Sequence, residues 1–296
     1  MDPTLLTPPL ARCKELTVRS PNHLHHAAQR LEESTRYDFF ISSYACMRTL
    51  DDTVDEEFLR LSRKEREQSR QRVLDRVSQW EAQVKTAARA DYRAKDDDFE
   101  PLVFTALTNC LGQSDLEEGP FLRLAKSLRR DVLEEELASW DELLDYCEGA
   151  AVAPGAVFLY LLAAREEEPG RLVLSGEIDV MEEARDLAHF CYFTHIVRDL
   201  RQDSASSAQL LTLPADLLEE FGFSRSAFSE AILRQDDRVR PVVRRMLEEA
   251  ESAGSRAGKR VDALRPRLPV GKSAILDYLF QLYREAHESV RALWTR

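Results

Sequence analysis

The sequence predicts an all-α fold, a single helical bundle, on three observations. Glycine is scarce, 10 in 296 residues, and Glu, Arg, Leu and Ala, which favour helix, are abundant. Apolar residues recur at helical spacing along most of the chain, and no stretch alternates with the period of two that marks a half-buried strand. Residues 150–164 are apolar all round, as expected of a helix buried on every side.

Taken in order, residues 1–20 contain Pro3, Pro8 and Pro9 and read as an irregular N-terminal segment, leaving 21–296 as the helical domain. A helix is expected over 21–33 and a second over 35–59. Residues 60–95 are strongly charged but keep the stripe Val73, Leu74, Val77, Trp80 and Val84, which predicts an amphipathic helix facing solvent. The charged run 95–98 is a solvated break, and Pro101 suits the first turn of the next helix. A turn-rich connection over 112–120 leads to a helix over 121–136. Residues 140–164 begin amphipathic and become wholly apolar, so this helix should lie centrally. Pro169, Gly170 and Gly176 mark 166–176 as a loop. Asp179 is placed to cap a long helix reaching about residue 201. The small polar stretch 204–208 reads as mobile, and 210–223 packs back with Pro214 and Gly222 as punctuation. Helices over 226–233, 239–264 and 273–293 finish the chain. No repeat and no linker divides it.

Bulk properties narrow the function. Apolar residues are 44% and charged residues 32% of the chain, with a formal net charge of −12. No cluster of Lys and Arg stands clear of acids, which argues against nucleic acid as a partner. An anionic substrate would need metal ions and local arginines to invert the field at its site. Cys13, Cys46, Cys110, Cys147 and Cys191 are odd in number and lack C-x-x-C spacing, so reduced and mostly buried thiols are expected, Cys46 and Cys147 in the core. The N-terminal region lacks the apolar core of a signal peptide. The run 150–164, with Pro154 and Gly155 inside it, is too short for a transmembrane span. These readings predict a cytoplasmic protein, at most loosely held at a membrane surface. They leave a homo-oligomer open.

Two acidic helix faces carry the chemistry. Tyr44, Arg48, Asp51 and Asp55 fall at i, i+4, i+7 and i+11 on one stripe; Ala188, Tyr192, His195, Asp199 and Asp203 form another, flanked by Arg198. Residues four apart on a helix are neighbours, so Asp51 pairs with Asp55 and Asp199 with Asp203. A lone D-x-x-x-D in so charged a chain is ordinarily a solvated face. Two of them, each with arginine and aromatic neighbours in a helix rich in apolar residues, point instead to facing carboxylate pairs. Such pairs suit Mg²⁺, or Mn²⁺ in its place, bound together with a diphosphate. Arg48 and Arg198 could grip diphosphate oxygens in a fork. Charge growing on a departing diphosphate would be neutralised, and the apolar run 150–164 would wall off water from an allylic cation.

His195, one turn before Asp199, has two readings: it takes a proton or hydrogen-bonds the diphosphate, or it is a polar packing residue. His23, His25 and His26 read as surface, or lining at best, and His189 as structural.

The chain resembles the squalene/phytoene synthases, all-helical isoprenoid synthases with a central cavity. Their first signature, roughly Y-x-x-C-R-x-x-D-D-x-x-D, is met by Tyr44, Arg48, Asp51, Asp52 and Asp55, with the cysteine displaced to Cys46. Their second, roughly Q-x-T-N-I-x-R-D-x-x-x-D, is met by Thr194, Ile196, Arg198, Asp199 and Asp203. Tyr146-Cys147, Ala150-Ala151 and Gly155 resemble the segment between, and Asp131 an acid upstream of it. The resemblance runs from about residue 20 to 220. It implies an isoprenoid-synthase bundle, a prenyl diphosphate substrate and metal on the four aspartates, with Asp52 beside them.

Departures shape the expected reaction. The family's Gln and Asn become Tyr192 and His195, an aromatic position falls at Gly149, and a V-G pair becomes Pro154-Gly155. The family's G-R-x-Y-L-P is replaced by a late Gln209–Pro214 segment without the Arg or Tyr, and its N-terminal Ser/Phe signature by Asn22-His23-Leu24-His25-His26. Ionisation machinery is kept while a second allylic site is altered, and Gly149 is expected to open room for another nucleophile. Some relatives in the family look like prenyltransferases that act on aromatic acceptors. The expectation is prenyl transfer to a small aromatic acceptor. The alternatives are head-to-head coupling to a presqualene-, squalene- or phytoene-like product, and a non-catalytic binding or assembly protein of the same fold.

Overall fold

The protein is described from a computed structural model covering residues 3–19, 22–31, 34–174, 176 and 178–294. Its helices are α1 (Pro3–Arg19), α2 (His23–Ala28), α3 (Thr35–Asp55), α4 (Arg63–Ala88), α5 (Pro101–Gly112), α6 (Gly119–Leu133), α7 (Trp140–Cys147), α8 (Ala153–Ala163), α9 (Val180–Ser206), α10 (Ala215–Glu220), α11 (Arg225–Leu233), α12 (Arg240–Leu264) and α13 (Lys272–Trp294). The all-α bundle is as expected, and the central helix is where the apolar run placed it. Every residue of α8 except Pro154 and Gly155 is buried. The stretch Trp140–Ala163 is long and apolar enough to cross a membrane, but 72% of an 18-residue apolar window within it is buried inside the fold.

Three expectations are corrected. Residues 3–19 are not irregular: α1 runs through Pro8 and Pro9. Its buried Cys13, Leu16 and Thr17, at i, i+3 and i+4, pack it on α3 and α5, and Arg12 donates to Glu100 at 2.7 Å. Tertiary packing here outweighs weak local propensity. The loop over 166–176 contains an antiparallel hairpin, β1 (Arg165–Glu168) and β2 (Arg171–Val173). It turns at Gly170, whose φ of +84° suits glycine. Leu174 N–H donates to the Asp115 carboxylate at 3.0 Å, anchoring the hairpin. The stretch 204–208 is partly helical, because α9 continues to Ser206. The expected helix ends at Pro21 and Glu33 lie outside the described residues.

Local signals set the helix that matters most. The Asp179 side chain accepts from the N–H groups of Met181 and Glu182, satisfying donors that a helix start leaves orphaned. Asp179→Ala is expected to lower stability by about 1 kcal/mol and Asp179→Asn far less. Denaturant unfolding checks this, and equal losses in both variants would refute the cap. The apolar break in the centre is a single π-helical turn, Glu148–Val152, between α7 and α8. Such turns widen a helix by one residue and recur at functional sites.

Candidate active site

The helices enclose a cavity of about 400 Å³. Its walls come from α2, α3, α6, α7–α8, α9, α12 and α13, and both acidic stripes face into it. Tyr44, Arg48, Asp51 and Asp55 line it from α3; Tyr192, His195, Asp199 and Asp203 line it from α9. The remaining wall is largely apolar, with Ala150, Ala151, Pro154 and Phe158 contributed by the central helix.

Three residues proposed from sequence lie elsewhere. Asp52 and Arg198 are absent from the lining. Each is the immediate neighbour of a lining aspartate, and successive helical residues point about 100° apart. Asp52 is tied to Arg48 at 2.5 Å. Arg198 forks onto Asp199 at 2.7 and 2.8 Å and is 45% exposed, so its guanidinium is engaged by its own helix beside the cavity rather than lining it. Gly149 does not open the cavity. A Cβ there would lie 2.1 Å from the Arg123 carbonyl oxygen and 2.3 Å from Ser127 Oγ, so this glycine faces α6 and permits close helix contact.

Sequence reasoning undervalued two other groups. Asp131 on α6 and Tyr146 on α7 both line the acidic end, and the Tyr146 hydroxyl donates to Asp131 Oδ2 at 2.9 Å. Asp131 is a lone acid in a charged helix, and only its match to a family position singled it out. The histidine tract divides three ways. His23 lines the cavity, His25 is buried, and His26 is exposed. His23, His195 and Tyr283 form a ring cluster with centroids 5.1–6.2 Å apart. His189 is buried and stacks on Phe193, a packing role.

Electrostatics single out the acidic end. Burial, with repulsion from Asp51 and Asp131, pushes the Asp55 carboxyl well above its ordinary range. Burial, with Asp199 beside it, raises Asp203 to about 7. Burial likewise raises Asp131 to about 7 and Asp51 to about 6, the latter held down partly by Arg48 at 3.0 Å. His195 is pushed down to about 3 by burial and then by Arg198, so it is neutral at physiological pH.

This donor set fits a hard divalent cation. Asp55 and Asp203 form no ion pair among the described residues, and each has an acidic neighbour that repels its charge, Asp51 for Asp55 and Asp199 for Asp203. Among the described residues no three His, Cys, Asp or Glu side chains form a closed cage. Mg²⁺ ordinarily takes one or two carboxylates, waters and substrate phosphates rather than such a cage.

Comparison with known proteins finds relatives over nearly the whole chain. Residues 22–292 match the family model described as squalene/phytoene synthase. A phytoene synthase from Cereibacter sphaeroides is 27% identical over 300 residues, covering 97% of this chain and 76% of that protein. Among solved structures, the squalene synthase HpnC from Alicyclobacillus acidocaldarius superposes with a TM-score of 0.72 at 20% identity, over 99% of this chain and 97% of that one. A dehydrosqualene synthase in complex with ligand superposes with a TM-score of 0.70 at 17% identity, over 95% and 86%. At these identities the structural likenesses show the fold.

Proposed function

The chain belongs to the squalene/phytoene synthase family, and on that footing we propose that it ionises an allylic prenyl diphosphate with Mg²⁺ and transfers the prenyl group to a small aromatic acceptor. The observation that carries the reading is that two D-x-x-x-D faces, one on α3 and one on α9, line the same largely apolar cavity. Asp51, Asp55, Asp199 and Asp203 are the residues to hold Mg²⁺. Bound there, the metal supplies charge neutralisation for the leaving diphosphate.

The remaining steps rest on the chain's own groups. Arg48 lines the acidic end and offers guanidinium N–H donors to diphosphate oxygens. The C–O bond breaks with both electrons leaving on the diphosphate, and the apolar wall from Ala150 to Phe158 keeps water from the allylic cation. A ring carbon of the acceptor attacks that cation, and the ring then loses a proton. His195 is a neutral group in the wall able to take that proton, since burial keeps it uncharged and an imidazole nitrogen accepts. The cluster of His23, His195 and Tyr283 favours an aromatic acceptor stacked beside it. The volume of about 400 Å³ lies near the low end of the roughly 300–1,000 Å³ usual for small-molecule sites.

A second reading is head-to-head coupling of two prenyl diphosphates, favoured by the names of the phytoene, squalene and dehydrosqualene synthases that the chain is similar to. Mass spectrometry of C5 to C20 diphosphates incubated with Mg²⁺, with and without candidate aromatic acceptors, separates the two. Product that requires acceptor is the expected result. A carbon–carbon joined dimer from donor alone would establish the second reading instead.

A further inference from the structure

The cavity has two ends of unlike chemistry. One is the cluster of aspartates. The other is reached by following α9 backwards from Asp199 through Cys191, Ala188 and Ala184 to Glu183, all lining residues. That is sixteen residues, roughly 24 Å along the helix at 1.5 Å per residue. The wall at this far end is small and apolar, with Gly155, Ala184, Ala257 and Val261. A pair of charges closes it. Glu183 is 11% exposed, and its Oε1 accepts from Arg267 at 2.7 Å. Its Oε2 lies 3.4 Å from Arg260 Nη1 and has no hydrogen-bond partner. Arg260 lines the cavity and is also 35% exposed, held by Glu182 at 3.3 Å. It stands between the apolar channel and solvent.

No bulky aromatic stopper is needed in this arrangement. We propose that the Glu183–Arg260 ion pair is the end stop of the prenyl-chain site and sets the longest chain the cavity accepts. The inference rests on the reading that the diphosphate sits at the aspartate end, from which the hydrocarbon must run toward Glu183. An apolar chain tip gains by filling the space beside Ala184 and Ala257. It cannot advance further without pushing Arg260 away from Glu183 Oε2, an oxygen with no hydrogen-bond partner, which weakens the compensation of a mostly buried carboxylate that then rests on Arg267 alone. Chain length is thereby limited by electrostatics rather than by bulk.

The test is binding of unreactive prenyl thiolodiphosphates of C10, C15, C20 and C25 in the presence of Mg²⁺, measured by calorimetry. In the unaltered protein, affinity is expected to rise with length to a limit and then fall at least tenfold for the next longer chain. Arg260→Ala is expected to move that limit up by one isoprene unit or more. Arg260→Met, which keeps the aliphatic stem, does the same if the alanine variant fails to fold, and Arg260→Lys keeps the limit. Arg256→Ala is the structural control: it removes an α12 arginine paired with Asp186 at 2.8 Å outside the lining, and should leave the length profile unchanged. Thiolodiphosphates that bind with the same length limit in the Ala and Met variants, or with no limit in the unaltered protein, overturn the end stop alone. Absence of any Mg²⁺-dependent binding overturns the diphosphate reading and the end stop with it.

Discussion

Asp55→Asn is expected to lower kcat for prenyl transfer by two to three orders of magnitude while leaving the metal-free protein as stable as before, or more so. The two effects have one cause. Asp55 lines the cavity beside Asp51 and Asp131 and has no ion-pair partner among the described residues. Its negative charge raises the energy of the empty fold and is useful only to a cation. Losing one pre-placed group that stabilises developing charge typically costs about 10²–10³ in kcat. Asn keeps the shape and removes the repulsion, which is the stability–activity conflict expected of a site built for function. The pH dependence follows the same sign. A carboxyl whose folded pKa is raised carries no penalty below its unfolded value near 3.9, and the penalty is complete above the folded value. With Asp51 raised to about 6 and Asp203 to about 7, protein in chelator should lose stability as pH climbs from about 4 to about 7. Asp55→Asn should flatten part of that loss, and Asp203→Asn should behave likewise. Thermal melts in chelator across this range, together with steady-state kinetics in Mg²⁺, check both halves. Undiminished turnover in either variant would remove the assigned metal role.

What could be read in the sequence was what helical periodicity converts directly into geometry. Tyr44, Arg48, Asp51 and Asp55 share one stripe by spacing alone, and α3 presents that stripe to the cavity. The same holds for Tyr192, His195, Asp199 and Asp203 on α9. Asp52 and Arg198 enter as matches to the family signatures, but each is one residue from a lining aspartate, and a one-residue step swings a side chain about 100° round the helix. Asp131 and the Glu183–Arg260 pair belong to the cavity through tertiary packing, and no local pattern distinguishes them from the other charged residues in their helices. The helix α1 was missed because its prolines speak against helix, while what holds it, the burial of Cys13 and Leu16 against α3 and α5, is long-range. The hairpin was missed because Arg165–Glu168 is exposed throughout and shows no alternation.

Gly149 is where sequence logic and geometry part most sharply, and Gly149→Ala should be among the most damaging single-methyl changes in this protein. As a departure from an aromatic position it suggested extra space. In the fold it is a point of closest approach, with the Arg123 carbonyl 2.1 Å from where a Cβ would sit. Neither partner can yield cheaply. Arg123 presents backbone, and Ser127 Oγ is already engaged, donating to the Tyr146 carbonyl at 2.8 Å two residues before the π-helical turn. Overpacking of this kind ordinarily costs about 1–3 kcal/mol, and contact with backbone puts it at the upper end. At about 2–4 °C per kcal/mol for proteins somewhat smaller than this one, Tm should fall by roughly 6–10 °C. Gly155→Ala makes the contrast, since its Cβ would meet Ala184 and Ala188 at 3.7 Å, ordinary contact, and helix propensity then favours alanine by about 1 kcal/mol. Matching Tm shifts in the two variants would show that the α6 contact is not what requires glycine at 149. The same displacement reaches the chemistry, because α6 carries Asp131 and α7, which leads into the π-helical turn, carries Tyr146, and forcing the two helices apart strains the 2.9 Å bond between them. Gly149→Ala protein that stays folded at low temperature should therefore lose kcat without any change in the aspartates themselves.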